Sequence, residues 1–309
     1  MQIKMRNIWS LVLISLLGAC AMGEQSTNMP NSPQELNIST FKNISAFVLE
    51  TAQNAHLIKA NIKYVKNAKK AHSDLMESKA DLVFMSYDDS LSIAIESGYT
   101  DIVAFAPIHG GILSLCGEIN LAQNKNQVGI DTDTGYARAL RFYLHQLYPT
   151  DLEYNQLHWS FAGATNLRVA ELLSGNIDAT LLNPPYSYTN GIPRMIQMSA
   201  AIGSYQGVII NVNKSWLANP SNAANLAAFI RGYYQRVNEM KAQPAETILQ
   251  LANYYGISQS EATNTYTSLW EADGLSLSPV FNQAGLRGTE SIFSWDSGHA
   301  IPESRNWLL

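Results

Sequence analysis

The chain is poor in cysteine and in positive charge. Its 309 residues include 2 cysteines, and 20 Lys and Arg stand against 25 Asp and Glu, which gives a formal net charge of −5. Two cysteines are too few for a disulfide scaffold, and a deficit of basic residues removes the attraction to phosphate on which nucleic-acid binding depends. Hydrophobic residues make up 46% of the chain, as in ordinary globular proteins. The sequence therefore predicts a globular protein, longer than one average domain, that does not bind nucleic acid.

Motifs of hydrolases and of nucleotide-hydrolysing enzymes are missing as well. The sequence contains no G-x-S-x-G, and none of its 6 histidines stands in an H-E-x-x-H pair. The loop at 131–136 has the Thr and Gly residues of an anion-binding turn but lacks the Lys of a P-loop. His109, which precedes two glycines, is the one histidine whose context points to a role. We expect no catalytic residue, no cofactor and no metal site, although sequence spacing cannot show whether distant metal ligands converge.

The first twenty residues have the features of a bacterial export signal. Lys4 and Arg6 precede an apolar run over 8–17, which is too short to span a bilayer but suits a signal-peptide core. The run ends in Leu-Gly-Ala-Cys, which resembles the lipobox of bacterial lipoproteins, whose cysteine carries diacylglycerol. We predict a signal peptide over 1–19, a lipidated Cys20 and a flexible tether over 20–35, with the lipid as membrane anchor. The alternative is an ordinary secretory signal with a chance cysteine.

From Leu36 onward, short β-branched runs alternate with helical stretches, which is typical of an α/β fold with mainly parallel strands. The first series predicts strands at Leu36–Thr40, Ile62–Val65, Asp81–Ser86 and Asp101–Ala106 and helices at Ile44–Ile58, Ala68–Ser78 and Ser90–Ser97. The second predicts strands at Gln127–Asp131, Leu157–Phe161 and Ala179–Leu182 and helices at Tyr136–Leu147, Leu167–Ser174 and Pro185–Asn190. A strand at Val208–Val212 and helices at Asn222–Lys241, Pro244–Tyr255 and Gln259–Glu271 follow. Two such series predict two lobes.

Four polar loops follow predicted strands. They are Phe41-Lys42-Asn43, Ser86-Tyr87-Asp88-Asp89, Asp131-Thr132-Asp133-Thr134-Gly135-Tyr136 and Asn183-Pro184-Pro185-Tyr186. Ligands of open α/β sheets bind at the carboxyl ends of the strands, and loops that lead into helices also present free backbone N–H groups there. Turn or cap formation explains each residue taken singly. Four polar turns of one topology, however, predict a ligand cleft.

Several longer segments carry a resemblance to a known family. They include SGNIDATLLNPP within 167–189, VGIDTDTGYARALRFYL at 128–144, YQGVIINVNKSWL at 205–217 and LAAFIRGYYQRVNEM at 226–240, together with 80–107 and 281–293. In these segments the chain resembles the ABC-transporter substrate-binding proteins that serve nitrate, sulfonates, taurine and thiamine-pyrimidine precursors. The resemblance implies a two-lobe periplasmic-binding-protein type II fold, each lobe a mainly parallel sheet flanked by helices, with lobe 1 at 36–113 and 209–309 and lobe 2 at 114–208.

On this resemblance the ligand lies between the lobes. The predicted ligand-binding residues are Lys42, Ser86, Tyr87, Asp88, Thr132, Thr134, Gly135, Tyr136, Asn183, Pro185 and Tyr205. Basic residues near the predicted cleft are limited to Lys42 and His109, against four aspartates at 88, 89, 131 and 133. Since an anion requires a fixed cation or several N–H donors, we expect a neutral or amine-bearing, ring-containing ligand, such as a thiamine-pyrimidine-like compound. A sulfonate or nitrate is the less favoured ligand.

The resemblance also implies partners and a location. It implies an ABC permease and ATPase, a monomeric binding protein, and a place in the bacterial cell envelope facing the periplasm or the exterior. A sensing or scaffold lipoprotein with the same fold is the alternative. Yeast-type thiamine-pyrimidine synthases share the fold, but they carry a cysteine-rich iron-binding motif, which a chain with Cys20 and Cys116 alone does not have.

Overall fold

The computed structural model describes residues 34–308, and these form two five-stranded sheets with helices around them. The strands are β1 Leu36–Thr40, β2 Ala60–Tyr64, β3 Leu82–Ser86, β4 Ile102–Pro107, β5 Ser114–Gly117, β6 Gln127–Ile130, β7 His158–Phe161, β8 Ala179–Leu182, β9 Arg194–Gln197 and β10 Val208–Asn213. The helices are α1 Ile44–Asn54, α2 Ala68–Met76, α3 Tyr87–Leu91, α4 Tyr136–Leu147, α5 Asp151–Tyr154, α6 Thr165–Leu173, α7 Met198–Ile202, α8 Lys214–Leu217, α9 Pro220–Ala242, α10 Pro244–Tyr255, α11 Gln259–Ser268 and α12 Gln283–Ser297. Ser92–Glu96 continues α3 as a π-helical turn, and Leu121–Gln123 and Tyr186–Tyr188 are 3-10 turns.

The two sheets follow one plan. The first has the order β2-β1-β3-β10-β4 and the second β7-β6-β8-β5-β9. In the first, β1 is parallel to β2 and β3, and β10 runs antiparallel between β3 and β4. In the second, β6 is parallel to β7 and β8, and β5 runs antiparallel between β8 and β9. Each antiparallel strand is the one that enters its sheet just after the chain has crossed over from the other sheet, so the topology contains two crossing segments, 108–113 and 203–207.

Local sequence explains the principal elements. All five residues of β3 are buried, which fits its apolar run and its place in the middle of the first sheet. Helix α10 starts with Pro244 in its first turn and ends before Gly256, which has φ +65°. Proline suits the first turn because the N–H it lacks would have no helical partner there, and glycine adopts the left-handed conformation without strain.

The C-terminal helix α12 packs against helices that flank each of the two sheets. Its Leu286 and Phe293 belong to the core beside the first sheet, whereas Ile292 belongs to the core beside the second. The ring of Trp295 meets Phe142 of α4 edge to face at 5.2 Å. The sequence assigned this segment to lobe 1 alone, but one helix touching both cores ties the two halves of the molecule together.

Some expected elements differ from the structure. The helix expected at Pro185–Asn190 is a single 3-10 turn, because Gly191 turns the chain at φ +85° and Pro193 follows. The predicted helix at Ser90–Ser97 begins earlier, at Tyr87, where Ser86 caps it. The strands β5 and β9 and the helices α5, α7, α8 and α12 were not predicted. The predicted signal peptide, Cys20 and the tether up to residue 33 lie outside the described residues.

Among the helices of residues 34–308, none combines the length and the apolar character that crossing a bilayer requires.

Candidate ligand-binding site

A cavity of about 40 Å³, called here the cleft cavity, lies where loops from both sheets meet. Strands β1 and β3 of the first sheet and β6, β7 and β8 of the second all run into it at their carboxyl ends, as expected for open α/β sheets. Six of the predicted site residues line it, namely Lys42, Ser86, Thr134, Gly135, Tyr136 and Asn183. The loop after β7 also lines it through Ala164, Thr165 and Asn166, and this loop was not among those predicted.

Asp89 connects the two sides of the cleft cavity. Its Oδ1 accepts a hydrogen bond from the Thr134 hydroxyl at 2.8 Å and lies 3.1 Å from His72 Nε2, while Oδ2 accepts from the Ser86 hydroxyl at 2.6 Å. Burial by itself raises the pKa of Asp89, but His72 and these hydroxyls outweigh it and hold the pKa below its ordinary value. Asp89 is therefore a carboxylate whose hydrogen-bonding capacity the chain itself largely satisfies.

Gly135 is required where helix α4 begins. It has φ +65°, and a Cβ there would stand 3.0 Å from Asp89 Oδ2 and 3.2 Å from Ser86 Oγ. Its N–H donates to Asp88 Oδ1 at 2.7 Å. A side chain at this position would be strained and would also push the two sides of the cleft apart.

Asp88, predicted to face the ligand, instead joins the two halves of the protein. The side chain is fully buried and accepts from Arg138 Nη1 at 3.0 Å as well as from Gly135. It is absent from the lining of the cleft cavity. Burial raises the pKa of Asp88 to about 7 against the opposing charge of Arg138.

Arg138 is the centre of a charge network between α4 and the first half of the molecule. Besides Asp88, its guanidinium donates to Ser92 Oγ at 2.8 Å, to Glu96 Oε1 at 2.7 Å and to Asp296 Oδ2 at 3.0 Å. Arg141, one turn later, donates from Nε and from Nη2 to Asp296, both at 2.6 Å. We call Arg138, Arg141, Asp88, Glu96 and Asp296 the α4 network. It links α4 to α3, to the π-helical turn after α3 and to α12.

Arg168 is the cleft cation that sequence reasoning missed. It lies in the first turns of α6, is 5% exposed and lines the cavity. Its Nη1 donates to Gly163 O at 2.6 Å and its Nη2 to Leu181 O at 3.0 Å, whereas Nε has no partner among the described residues. Nη1 also lies 4.0 Å from Asp131 Oδ1. Burial raises the pKa of Asp131 to about 6, and Arg168 opposes that rise. The cavity therefore contains buried groups of both signs.

Two further polar groups in the cavity lining lack partners. The Tyr136 hydroxyl and the Asn183 Oδ1 are buried and make no hydrogen bond within residues 34–308. The Tyr136 hydroxyl lies against the return crossing, since a Cβ on Gly207 would stand 2.5 Å from it. Together with Arg168 Nε, these atoms offer a ligand two donors and an acceptor.

Four other predicted site residues lie outside the cleft lining. Tyr87 is buried in the first core, where its hydroxyl donates to Glu290 at 2.9 Å and accepts from Trp307. Thr132 contacts Thr134 at 3.3 Å, and Pro185 starts the Tyr186–Tyr188 turn. Tyr205 lies on the return crossing with its ring 5.9 Å from that of Tyr136. For Tyr87 this is a correction with a simple cause: one residue beyond Ser86, the new helix has turned the side chain towards the core.

Two residues with potentially reactive side chains lie in the interior of the protein. His109 is buried, and burial lowers its pKa to about 4. Cys116 is buried in β5, and burial raises the pKa of its thiol. Within the described part of the chain, no three His, Cys, Asp or Glu side chains come together as metal ligands.

Comparisons with known proteins address the fold. No protein-family model and no curated protein matches the sequence. Solved structures do: the ligand-binding component of an ABC-type import system from Staphylococcus aureus with zinc bound is 11% identical, with a TM-score of 0.71 over 89% of this chain and 96% of that one. The alkanesulfonate-binding protein of Xanthomonas axonopodis pv. citri, bound to MOPS, is 15% identical, with a TM-score of 0.64 over 86% and 94%.

A third similar structure comes from a eukaryote. A Candida albicans gene product, described as defining a new family with the generic periplasmic binding protein fold, is 13% identical, with a TM-score of 0.66 over 89% of this chain and 96% of its own. Identities this low establish architecture rather than ligand or partner. With its two sheets of one plan and a cavity between them, the chain has the periplasmic-binding-protein fold.

Proposed function

We propose that the chain is the ligand-binding component of an ABC import system, located outside the cytoplasm and anchored by lipid at Cys20. The observation that carries the proposal is the cleft cavity, where strand-end loops of both sheets converge and buried polar atoms are left without partners. Similarity to ABC-type import and alkanesulfonate-binding proteins supports the same role. Unpartnered buried polar groups are costly, and a bound ligand is the simplest partner for them. The role requires no catalysis.

The ligand is a small polar molecule with an acceptor group at one end and an N–H donor at the other. The acceptor faces Arg168 Nε and the Tyr136 hydroxyl, and the donor faces Asn183 Oδ1 and the Asp131 carboxylate. The proposed ligand therefore still carries the amine that the sequence predicted. It also carries an anionic or carbonyl group, because Arg168 supplies a cation that was not predicted from the sequence. A cavity of about 40 Å³ has room for two or three waters. A ring-containing ligand therefore needs the lobes to stand further apart.

Lobe closure follows from these contacts. The ligand joins Arg168 and Asn183 of the second half to Lys42 and Ser86 of the first, so it favours the closed arrangement by the contacts made only there. The closed form is then the one that a permease receives. The α4 network adds ligand-independent attraction, so the ligand has to supply only part of the closing free energy.

Native mass spectrometry of the full chain, purified in mild detergent, tests the proposal. We expect a small added mass that disappears on denaturation, and a lipid-sized increment on the chain that starts at Cys20. The captured compound then serves in calorimetric titrations. Arg168→Gln should weaken its binding by about tenfold or more, since a charged hydrogen bond is lost, and Arg168→Lys should recover part of it.

Arg231→Gln is the matched control, because Arg231 is exposed on α9. It removes the same charge and should leave affinity unchanged. If the chain carries no ligand and a panel of amino acids, sulfonates and heterocyclic amines gives no titration heat, the binding role is wrong. Cross-linking in native membranes checks the importer, since an ABC permease should be among the cross-linked proteins.

A further inference from the structure

A second cavity lies beside the two crossing segments, and it shares no lining residue with the cleft cavity. Its volume is about 130 Å³, and we call it the hinge cavity. One wall is the 272–282 loop, and the other consists of Gly110 on the outward crossing with Tyr205 and Gln206 on the return crossing. The last helix predicted from the sequence ends at Glu271, before this loop, and the sequence gave no indication of a cavity.

The 272–282 loop is attached to the outward crossing by main-chain hydrogen bonds. Ser276 N–H donates to Ile108 O at 2.9 Å, and Gly110 N–H donates to Gly274 O at 3.2 Å. Gly110 also bridges to Gln206, which brings the return crossing into the same small ladder. A Cβ on Gly110 would stand 2.7 Å from the Cβ of Asp273, so the backbones approach too closely for any side chain there. The hinge cavity is therefore bounded by main chain that ligand-independent contacts hold in place.

Asp273 is the buried charge of this cavity. It is 6% exposed, and its Oδ1 accepts a weak hydrogen bond from the Ser204 hydroxyl at 3.3 Å. Its Oδ2 has no partner among residues 34–308. Asp88, Asp89 and Asp296 each have an arginine or a histidine within 3.2 Å, whereas Asp273 has no ion-pair partner among residues 34–308. Burial raises its pKa, as expected for a carboxylate that lacks compensation.

The remaining lining combines hydroxyl and amide groups with aliphatic side chains. Ser276, Ser278 and Asn282 supply the polar atoms, and Leu277 and Val280 supply apolar surface at the rim. A metal ion would need further carboxylate or imidazole ligands, and within the described residues no such group of three or more exists. A cavity of about 150 Å³ is known to hold a six-carbon ring, so the hinge cavity has room for about six heavy atoms.

We propose that the hinge cavity binds a small primary ammonium ion, with its charged head on Asp273 and its short alkyl part against Leu277 and Val280. An ammonium group donates three hydrogen bonds, one to Asp273 Oδ2 and the others to neighbouring oxygens such as those of Ser276 and Ser278. A ligand held there touches both crossings and the loop that is bound to them. It therefore influences the relative positions of the lobes without entering the cleft. The site is separate from that of the proposed import ligand.

Ligand-observed NMR titration of the full chain tests this with two probes. The n-butylammonium ion has a primary ammonium head, and tetramethylammonium has the same charge without an N–H. We expect n-butylammonium to bind the wild type at millimolar concentrations and tetramethylammonium to bind about tenfold or more weakly, because it cannot donate to Asp273. Equal binding of the two probes, or no binding of n-butylammonium, would overturn the proposal.

Three variants locate the binding. Asp273→Asn should weaken n-butylammonium about tenfold, whereas Glu303→Gln removes one exposed carboxylate elsewhere and should change nothing. Arg168→Gln, which disturbs the cleft, should also leave amine binding intact, so a failure of the import proposal remains distinguishable. Ser278→Lys places an ammonium on the exposed loop and should exclude the probe even if Asp273→Asn folds poorly. Unchanged binding in Ser278→Lys or in folded Asp273→Asn would contradict the site.

Discussion

The cleft cavity and the hinge cavity differ in how their buried aspartates are compensated. The cleft cavity is about 40 Å³ and the hinge cavity about 130 Å³. Around the cleft, Asp89 has three partners, and Asp88 beside it has two, one of them Arg138. Asp88 and Asp273 each have one oxygen without a hydrogen-bond partner among the described residues. The other oxygen of Asp88 accepts from Arg138, however, whereas that of Asp273 accepts from the uncharged Ser204 hydroxyl. The smaller cavity is thus the one whose aspartates have a cationic or histidine partner, and the larger cavity is the one whose aspartate has none among the described residues.

The difference indicates how closing and binding are divided in this protein. The α4 network is made entirely of side chains and spans the two halves, so we expect it to favour a closed cleft with or without a ligand. The ligand itself then has to satisfy only the few atoms left over, chiefly Arg168 Nε and Asn183 Oδ1. On the proposed function, we expect the cleft to close readily around small ligands and to admit larger ones only when the network breaks.

Removing Arg138 should have the largest effect, because it leaves several carboxylates uncompensated at once. Arg138 is 5% exposed in its side chain and Asp88 is fully buried. Loss of one partner from a buried ion pair costs about 3 to 5 kcal/mol, and we expect Arg138→Met to lower the free energy of unfolding by about 3 kcal/mol. Urea unfolding measures this, and small-angle scattering should show a larger radius of gyration as the lobes separate.

Arg141→Met provides the comparison for Arg138→Met. Its side chain is 17% exposed and, within the α4 network, it contacts Asp296 alone, so the loss should be about 1 kcal/mol. Equal losses in the two variants, or an unchanged radius of gyration in Arg138→Met, would mean that the network does not hold the cleft shut.

The second-largest predicted effect is a pH dependence of the unfolding free energy that comes from Asp88. Burial raises its pKa to about 7 in the folded protein, against about 3.9 when unfolded. The folded state thus binds the proton more tightly, so this stabilisation is fully present below about pH 4 and is lost as the pH rises to about 7. We expect unfolding free energy to fall by about 1 to 3 kcal/mol over that range.

Asp88→Asn separates this residue from the other titrating groups. The variant should show a flatter profile between pH 4 and pH 7, with the remaining slope due mainly to Asp131, whose pKa burial raises to about 6. Denaturant titrations at several pH values supply the comparison. A profile as steep as that of the wild type would show that Asp88 does not titrate in this range.

The contrast between the cavities also shows what the sequence could predict. The strand Ala179–Leu182 and the helix Pro244–Tyr255 have the predicted bounds, because an apolar run and clear Pro and Gly boundaries mark them. The polar loops at strand ends were also predicted from local sequence, and six residues of these loops line the cleft cavity. Local composition therefore predicted those strands, helices and loops whose structure depends mainly on residues near them in the sequence.

Arg168 and Asp273 could not be recognised in this way. Arg168 lies just after the loop that follows β7, which begins Ala-Gly-Ala before Thr165 and Asn166, and only the position of β7 beside β6 places that loop at the cleft. A stricter use of topology could have found it, since every parallel strand of the sheet ends at that edge. Asp273 depends on contacts with residues far away in sequence, such as Gly110 and Ser204, and sequence spacing contains no trace of them.

The smallest predicted effect is a change in the free energy of unfolding, and we expect its sign to differ between the two cavities. Asp273→Asn removes a buried charge that has no counter-ion in the described structure, so without any amine it should raise the free energy of unfolding by about 1 kcal/mol. The same substitution at Asp296, which binds Arg138 and Arg141, should lower it. Urea titrations of the two variants under identical conditions compare these effects directly. If both substitutions destabilise, Asp273 has a compensating partner after all, and the distinction between a self-satisfied cleft and an unsatisfied hinge fails. Opposite signs would mean that the hinge keeps its charge at the expense of stability, as expected of a binding site rather than of a structural ion pair.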